Sequence, residues 1–163
     1  YRSIGINRND FMSLIQMRPE GGAAFGTLEW VAYASNAFNT MVPFYADVDE
    51  TPEYLANTTG EVSTENFYWT SRMITAMAEA SYGKSLFHVE HYQENVLAKS
   101  HALINQYDAL LADEKDPEKQ MELKRKANRK VAEMVQKEAS ATLKKVLYEL
   151  SNQMKNSYAR SDV

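Results

Sequence analysis

The chain contains no cysteine, which removes disulfides, thiolate metal sites and a cysteine nucleophile from its 163 residues. No apolar run approaches the ~20 residues needed to cross a bilayer, so no transmembrane helix is expected. No secretory leader is read at its start either, and the expected location is cytoplasmic. Excess positive charge is missing as well. The net charge is −4 and the pI near 5.4, which argues against a nucleic-acid platform. Two further absences divide the chain. Residues 1–83 hold no lysine, and their four arginines, Arg2, Arg8, Arg18 and Arg72, face ten Asp and Glu. Residues 84–163 hold no glycine and a single proline, Pro117.

What is present follows that division. Hydrophobic residues make up 44% and charged residues 25%, ordinary values for a chain able to bury a core. The first half is aromatic and punctuated by glycine. Ile4 and Ile6 alternate with polar residues over Arg2–Arg8, and Asn9-Asp10 offers a two-residue turn. Phe11–Met17 reads as a second strand, closed by Pro19-Glu20-Gly21-Gly22. Thr27–Ala34 reads as a third, with Leu28, Trp30 and Ala32 on one face and Glu29, Val31 and Tyr33 on the other. Asn39–Tyr45 is the fourth, and its Pro43 assigns it to an edge or a bulge. Four strands with short connections make an antiparallel β-meander, one of whose faces needs a cover. That need, and an opening on Tyr1, lead us to expect a portion of a longer protein.

Helices are expected from residue 51. Thr51-Pro52-Glu53 signals a short one. Ser63-Thr64-Glu65 starts another, bulky on all sides and largely buried, running to a stop at Gly83. From Leu86 to Leu111, Val89, Gln93, Val96, Ser100, Leu103, Tyr107 and Leu110 form one stripe, widened by Leu97, Ile104 and Leu111. Asp116-Pro117 then caps a second long helix, roughly 60 Å if unbroken to Tyr158. The short polar loop between them predicts an antiparallel helix hairpin. The fold class is therefore α+β: strands over 1–50, short helices over 51–83 and a long helical hairpin over 84–163.

Several features have chemistry in them. His88, His91 and His101 share a helix, and the first two have metal-ligand spacing, but without HExxH they read as surface or interface histidines. The acidic stretch Asp47-Val48-Asp49-Glu50 lacks the glycine and closing glutamate of an EF-hand and reads as a solvated loop. Lys124-Arg125-Lys126 with Arg129 and Lys130 is interleaved with glutamates, a solvated helix face rather than an RNA stripe. Arg2 and Arg8 sit on an apolar strand in a half poor in cations, which means a carboxylate partner or an anionic ligand.

The strings Tyr1-Arg2-Ser3-Ile4-Gly5-Ile6-Asn7-Arg8, Gln16-Met17-Arg18-Pro19, Gly26-Thr27-Leu28-Glu29-Trp30 and Val42-Pro43-Phe44-Tyr45 together resemble the C-terminal portion of the dipeptidase A family. These are bacterial cysteine dipeptidases of the N-terminal-nucleophile (Ntn) hydrolase superfamily. Thr51-Pro52-Glu53-Tyr54 and Tyr68-Trp69 continue the likeness, which covers residues 1–82 well and the hairpin only in general character. It implies an αββα sandwich to which the meander contributes, and hydrolysis of dipeptides by an N-terminal cysteine whose own amino group is the base. This chain has no such cysteine, so the nucleophile is expected upstream and the piece alone is expected to be inactive. The likeness further implies that Arg2 is the catalytic-site arginine of related Ntn amidases, steadying the nucleophile or the developing negative charge. Trp30 and Tyr45 line the substrate pocket or serve as core aromatics. The expected partners are a dipeptide and the N-terminal part of the same protein, with no nucleic acid, no membrane, no metal and no cofactor. The uncovered sheet predicts self-association of the isolated piece. The rival readings are a non-enzymatic helical-hairpin interaction module and an Ntn amidase acting on non-peptide amides.

Overall fold

A computed structural model describes residue 6 and residues 9–154. The expected strand Arg2–Arg8 lies outside the described residues apart from Ile6. Asn9 N–H donates to the Ile6 carbonyl (3.1 Å); the expected Asn9-Asp10 turn would close on Arg8, which lies outside the described residues. Three strands follow, β1 (Phe11–Gln16), β2 (Leu28–Tyr33) and β3 (Val42–Tyr45), antiparallel and in the order β1-β2-β3. Phe11 stands opposite Tyr33 and Gln16 opposite Leu28, while Leu28 meets Tyr45 and Val31 meets Val42. Pro43 costs this sheet no ladder bond, because β3 is an edge strand, as its proline predicts.

Between β1 and β2 run a tight turn at Pro19–Gly21 and the one-turn helix α1 (Gly22–Phe25). Gly26 ends that turn at φ +61°, and a Cβ there would collide with the Asp47 carboxylate, so conformation and space both demand glycine. The helices are α2 (Glu53–Ala56), α3 (Phe67–Ala80), α4 (Tyr82–Asp113) and α5 (Pro117–Ser151). Among the described residues no helix is long and apolar enough to cross a membrane.

The helix boundaries depart from expectation in instructive ways. Thr51 caps nothing; Pro52 itself precedes the first turn of α2. In front of α3 the Ser63 hydroxyl accepts from Glu65 N–H in a local turn. The cap falls to Asn66, whose side chain accepts from Trp69 N–H (2.8 Å). The break after α3 lies at Ser81, not Gly83. The Ser81 hydroxyl donates to the Met77 carbonyl (2.7 Å) while its backbone turns out of helical geometry, and Gly83 falls in the first turn of α4. Nor is α3 buried all round: Phe67, Thr70, Ser71, Ile74 and Ala78 form a single inward face. Asp116 does cap α5, accepting from Glu118 N–H (3.0 Å). That helix ends at Ser151, giving about 52 Å in place of 60.

α4 and α5 fold back on each other, tied across the seam by Lys99–Glu138 (2.6 Å). The inward residues of α4 are Ser85, Val89, Tyr92, Val96, Ser100, Ile104, Tyr107 and Leu111. The expected stripe holds at Val89, Val96, Ser100 and Tyr107 and at the widening residues Ile104 and Leu111, and Leu103 packs half-buried against the core. Leu97 and Leu110 are instead exposed. Tyr92, not foreseen, is fully buried beside the half-buried Gln93, because contact with α5 centres the inward face there.

The core has two parts, and the hairpin contributes to both. Val31, Val42 and Phe44 pack with Phe67, Ile74, Val89, Val96, Val131 and Val135. Leu28 and Tyr45 pack with Ile104, Tyr107, Leu111 and Ala127. Helix α5 also closes the outer edge of β3. The Asn128 carboxamide oxygen accepts from Tyr45 N–H (2.8 Å) and its NH2 donates to the Tyr45 carbonyl (3.0 Å), which imitates a neighbouring strand. β1 is treated differently. Phe11, Leu14 and Ile15 are each more than half exposed, and Met17 just beyond is 79% exposed.

Candidate functional site

Two polar constellations stand at opposite ends of the sheet. At the Gln16 end, the β1–β2 connection drives Arg18 into the molecule, where its side chain is 8% exposed. Its Nη1 pairs with Asp108 Oδ2 on α4 (2.6 Å), its Nη2 donates to the Phe25 carbonyl, and its guanidinium lies 5.4 Å from the centre of the Tyr45 ring. The Tyr45 hydroxyl donates to the other Asp108 oxygen (2.8 Å). Burial first, then the hydrogen bond to Asp108, pushes the Tyr45 phenol well above its ordinary value. Both Asp108 oxygens are engaged, so this cluster is a closed clasp between sheet and hairpin rather than a reactive centre. Gln16 extends it by accepting from the Trp30 indole N–H (2.9 Å).

At the other end, Asp10 precedes β1 and its carbonyl accepts from Ala34 N–H (2.9 Å), just beyond β2. The Asp10 carboxylate pairs with Arg72 of α3 and accepts from the Tyr68 hydroxyl (3.0 Å). The Arg72 guanidinium sits 5.5 Å from the Tyr68 ring centre and 5.7 Å from that of Trp69. Beside this group opens a cleft of about 360 Å³, lined by Asp10, Ser35, Arg72, Thr75, Ala76 and Glu79 among others. Its strand-side wall includes Ala34, a non-glycine residue at φ +68° and the sole such residue among those described. Open, and lined by charges of both signs, this end is able to receive a small polar ligand.

Comparison with known proteins fixes the lineage. The family model described as Peptidase family C69 matches residues 1–95. "Probable dipeptidase A" of Streptococcus pyogenes serotype M18 (strain MGAS8232) is 40% identical over 164 residues, covering 99% of this chain and 33% of the relative. "Dipeptidase" of Bifidobacterium longum (strain NCC 2705) is 34% identical over 200 residues, covering 99% of this chain and 37% of the relative. "Probable dipeptidase B" of Lactococcus lactis subsp. lactis (strain IL1403) is 31% identical over 108 residues, 66% of this chain and 23% of the relative. The chain belongs to peptidase family C69. It spans about a third of the length of the first two relatives. The likeness to dipeptidase A reaches through the helical hairpin, beyond the 82 residues for which the sequence strings speak.

The expected site residues of this C69 chain fall in different places. Arg2, with Arg8, lies outside the described residues. Trp30 is half-buried on β2, its ring 5.4 Å from that of His101. Tyr45 is 1% exposed on β3, its hydroxyl committed to Asp108. The two aromatics share one face of the sheet and the Leu28 cluster. The histidines do not converge: His88 lies 3.4 Å from Glu149 and His91 stacks on Phe87. Among the described residues no group of three or more His, Asp or Glu is placed to hold a metal.

The acidic loop and the basic helix face, read separately as solvated, meet each other. Lys124 is 4% exposed and pairs with Asp47 (2.5 Å), Arg125 grips Asp49 (2.7 Å) and Arg129 pairs with Glu50 (2.9 Å). The paired guanidiniums hold the Asp49 and Glu122 carboxyls below the ordinary carboxylate range. Sequence reasoning missed Arg18 as the clasp, although it stands in the Gln16-Met17-Arg18-Pro19 string. Asp108, ninety residues away, carries no local signal.

Proposed function

We propose that this chain is the C-terminal portion of a dipeptidase that splits dipeptides with an N-terminal cysteine carried upstream. One observation carries the reading: the chain aligns over 99% of its length with dipeptidase-named relatives, yet accounts for about a third of theirs. Two others support it. The chain has no cysteine to act as nucleophile. In addition, β1 offers apolar side chains on both faces, as a strand does when more protein packs over it. The remainder of the same protein is the partner this reading supplies, the isolated piece self-associates through β1, and the enzyme works in the cytoplasm.

The chemistry follows the family. The thiol of the upstream cysteine gives its proton to that cysteine's own α-amino group, and the thiolate sulfur attacks the dipeptide carbonyl. The carbonyl π pair moves onto oxygen. When it returns, the C–N bond breaks, the amine leaves with the proton, and a thioester remains. Water then hydrolyses the thioester, freeing the second amino acid and the thiol. Arg2 stabilises the developing negative charge. Trp30, half-buried and oriented by Gln16, contacts substrate. Tyr45 is sealed in the core and contributes by holding Asp108 and Arg18 in place.

The test is dipeptide hydrolysis by the complete protein, by its Arg2→Ala variant and by residues 1–163 alone. The expected results are activity in the first, none in the last, and a kcat at least 100-fold lower in a folded Arg2→Ala variant, in line with loss of one transition-state donor. A complete protein inert on every dipeptide overturns the reading. Full activity in Arg2→Ala makes the arginine structural.

A further inference from the structure

We propose that the outward face of α5 is a peripheral docking surface for an anionic lipid bilayer, held by a row of lysines and anchored at one end by exposed apolar side chains. The proposal stands apart from the dipeptidase reading. It concerns the membrane surface alone, since among the described residues no helix is long and apolar enough to cross one.

At 3.6 residues per turn, Lys119, Lys126, Lys130, Lys137 and Lys144 fall within about 20° of one line down α5, roughly 37 Å long. All five are exposed, and Val131, Val135, Ala139 and Val146 occupy the opposite, buried side of the helix. This geometry divides the basic cluster of α5. Lys124, Arg125 and Arg129 turn to the acidic loop, whereas Lys126 and Lys130 join the outward row. The acids beside the row are already engaged: Glu133 with Lys130 (2.7 Å), and Glu122 with Arg125 (3.3 Å) and Arg129 (2.7 Å). Lys119, Lys126, Lys137 and Lys144 enter no ion pair among the described residues. A chain of net charge −4 thus carries one straight, locally positive face.

The row leads into apolar surface. Tyr148 continues the same line one turn beyond Lys144 and is 64% exposed, with Leu147 beside it (48%) and Met154 just past the helix (58%). The His88–Glu149 contact (3.4 Å) sets the start of α4 against this end and adds Phe87, 71% exposed. Lysines along a helix face, with aromatic and aliphatic groups adjoining, make the composition of a helix that lies on a membrane. The lysines reach headgroup phosphates while the apolar end enters the interface, the layer in which tyrosine is enriched. Successive lysines stand about 10.5, 6, 10.5 and 10.5 Å apart along the axis. Mobile headgroups adapt to that uneven spacing, whereas the phosphates of a duplex recur at fixed intervals. A bilayer also gives the apolar end somewhere to go, which a nucleic-acid backbone does not.

The test is co-sedimentation of the complete protein with vesicles of phosphatidylcholine alone and of equal parts phosphatidylcholine and phosphatidylglycerol. Binding is expected to the anionic vesicles only, and to disappear as salt rises from about 0.1 M to about 1 M, where the screening length falls from about 10 Å to about 3 Å. Each unpaired lysine near an anionic surface contributes about a factor of five, so Lys126→Gln with Lys137→Gln is expected to weaken binding about 25-fold. Lys126→Arg with Lys137→Arg should keep it, which separates charge from folding. Tyr148→Ser is expected to weaken binding about fivefold while leaving its salt dependence in place. All three positions are exposed, so the variants fold, and circular dichroism verifies that. Equal binding to both vesicle types, no binding to either, or a double glutamine variant that binds like the wild type overturns the proposal. Retention on heparin, a soluble polyanion, without vesicle binding also overturns it and assigns the row to a nucleic acid or an acidic protein.

Discussion

Replacing Asn128 by leucine tests how the sheet is joined to the hairpin. Asn128 is 2% exposed, and its carboxamide satisfies both the N–H and the carbonyl of Tyr45 on the outer edge of β3. Leucine has nearly the same shape, so the change isolates the polar loss from a cavity. Two buried backbone groups lose their partners, at about 1–3 kcal/mol each, or about 2–6 kcal/mol together. Against a total stability of about 5–15 kcal/mol, that is a severe loss. With a urea m-value of about 2 kcal/mol/M, the midpoint falls by about 1–3 M. The assay is equilibrium urea unfolding by far-UV circular dichroism, with the exposed Lys126→Ala on the same helix as the control that leaves the midpoint in place. A loss under about 1 kcal/mol, smaller than the cost of one orphaned group, would refute the idea that α5 substitutes for a strand.

Arg18→Met should cost about 3 kcal/mol or more, because it strands the Asp108 charge, while Arg18→Met with Asp108→Leu should recover part of that in the same urea assay; a double variant no better than the single would argue against the clasp. Stability should decline above pH 10. Burial raises the Tyr45 and Tyr92 phenols well above their ordinary value and that of Tyr54 to about 12, so the unfolded chain loses these protons first, near pH 10, and the folded state weakens as pH climbs from there. Thermal melts from pH 8 to 11.5 check this, and a flat melting temperature would contradict it. Tyr92→Phe, whose hydroxyl has no partner among the described residues, should lessen the alkaline decline.

The sequence by itself determined the class of elements and their order. Alternation over Phe11–Met17 and Thr27–Ala34 gave strands within a residue or two of β1 and β2, because a pleated strand shows its two faces in adjacent residues. Pro43 determined an edge for β3, since a proline has no N–H to offer a further ladder. Asp116-Pro117 fixed the start of α5, and the glycine-free half determined the hairpin. Family membership was legible in short strings. Tertiary structure decided what adjacent residues cannot encode. How far the inward stripe of α4 extends sideways, taking in Tyr92 and leaving out Leu97 and Leu110, depends on α5. The cap of α3 is a local matter all the same: Ser63 bonds Glu65 N–H two residues on, and Asn66 bonds Trp69 N–H three residues on and caps the helix. The acidic loop and the basic helix face looked solvated one at a time and neutralise each other only once folding brings residues 47–50 to 124–129. The same is true of both ends of the sheet: Arg18 meets Asp108 and Asp10 meets Arg72 across ninety and sixty-two residues. Side-chain periodicity is a property of one element and can be read along the chain, whereas a charge pair between elements exists only after the elements have docked.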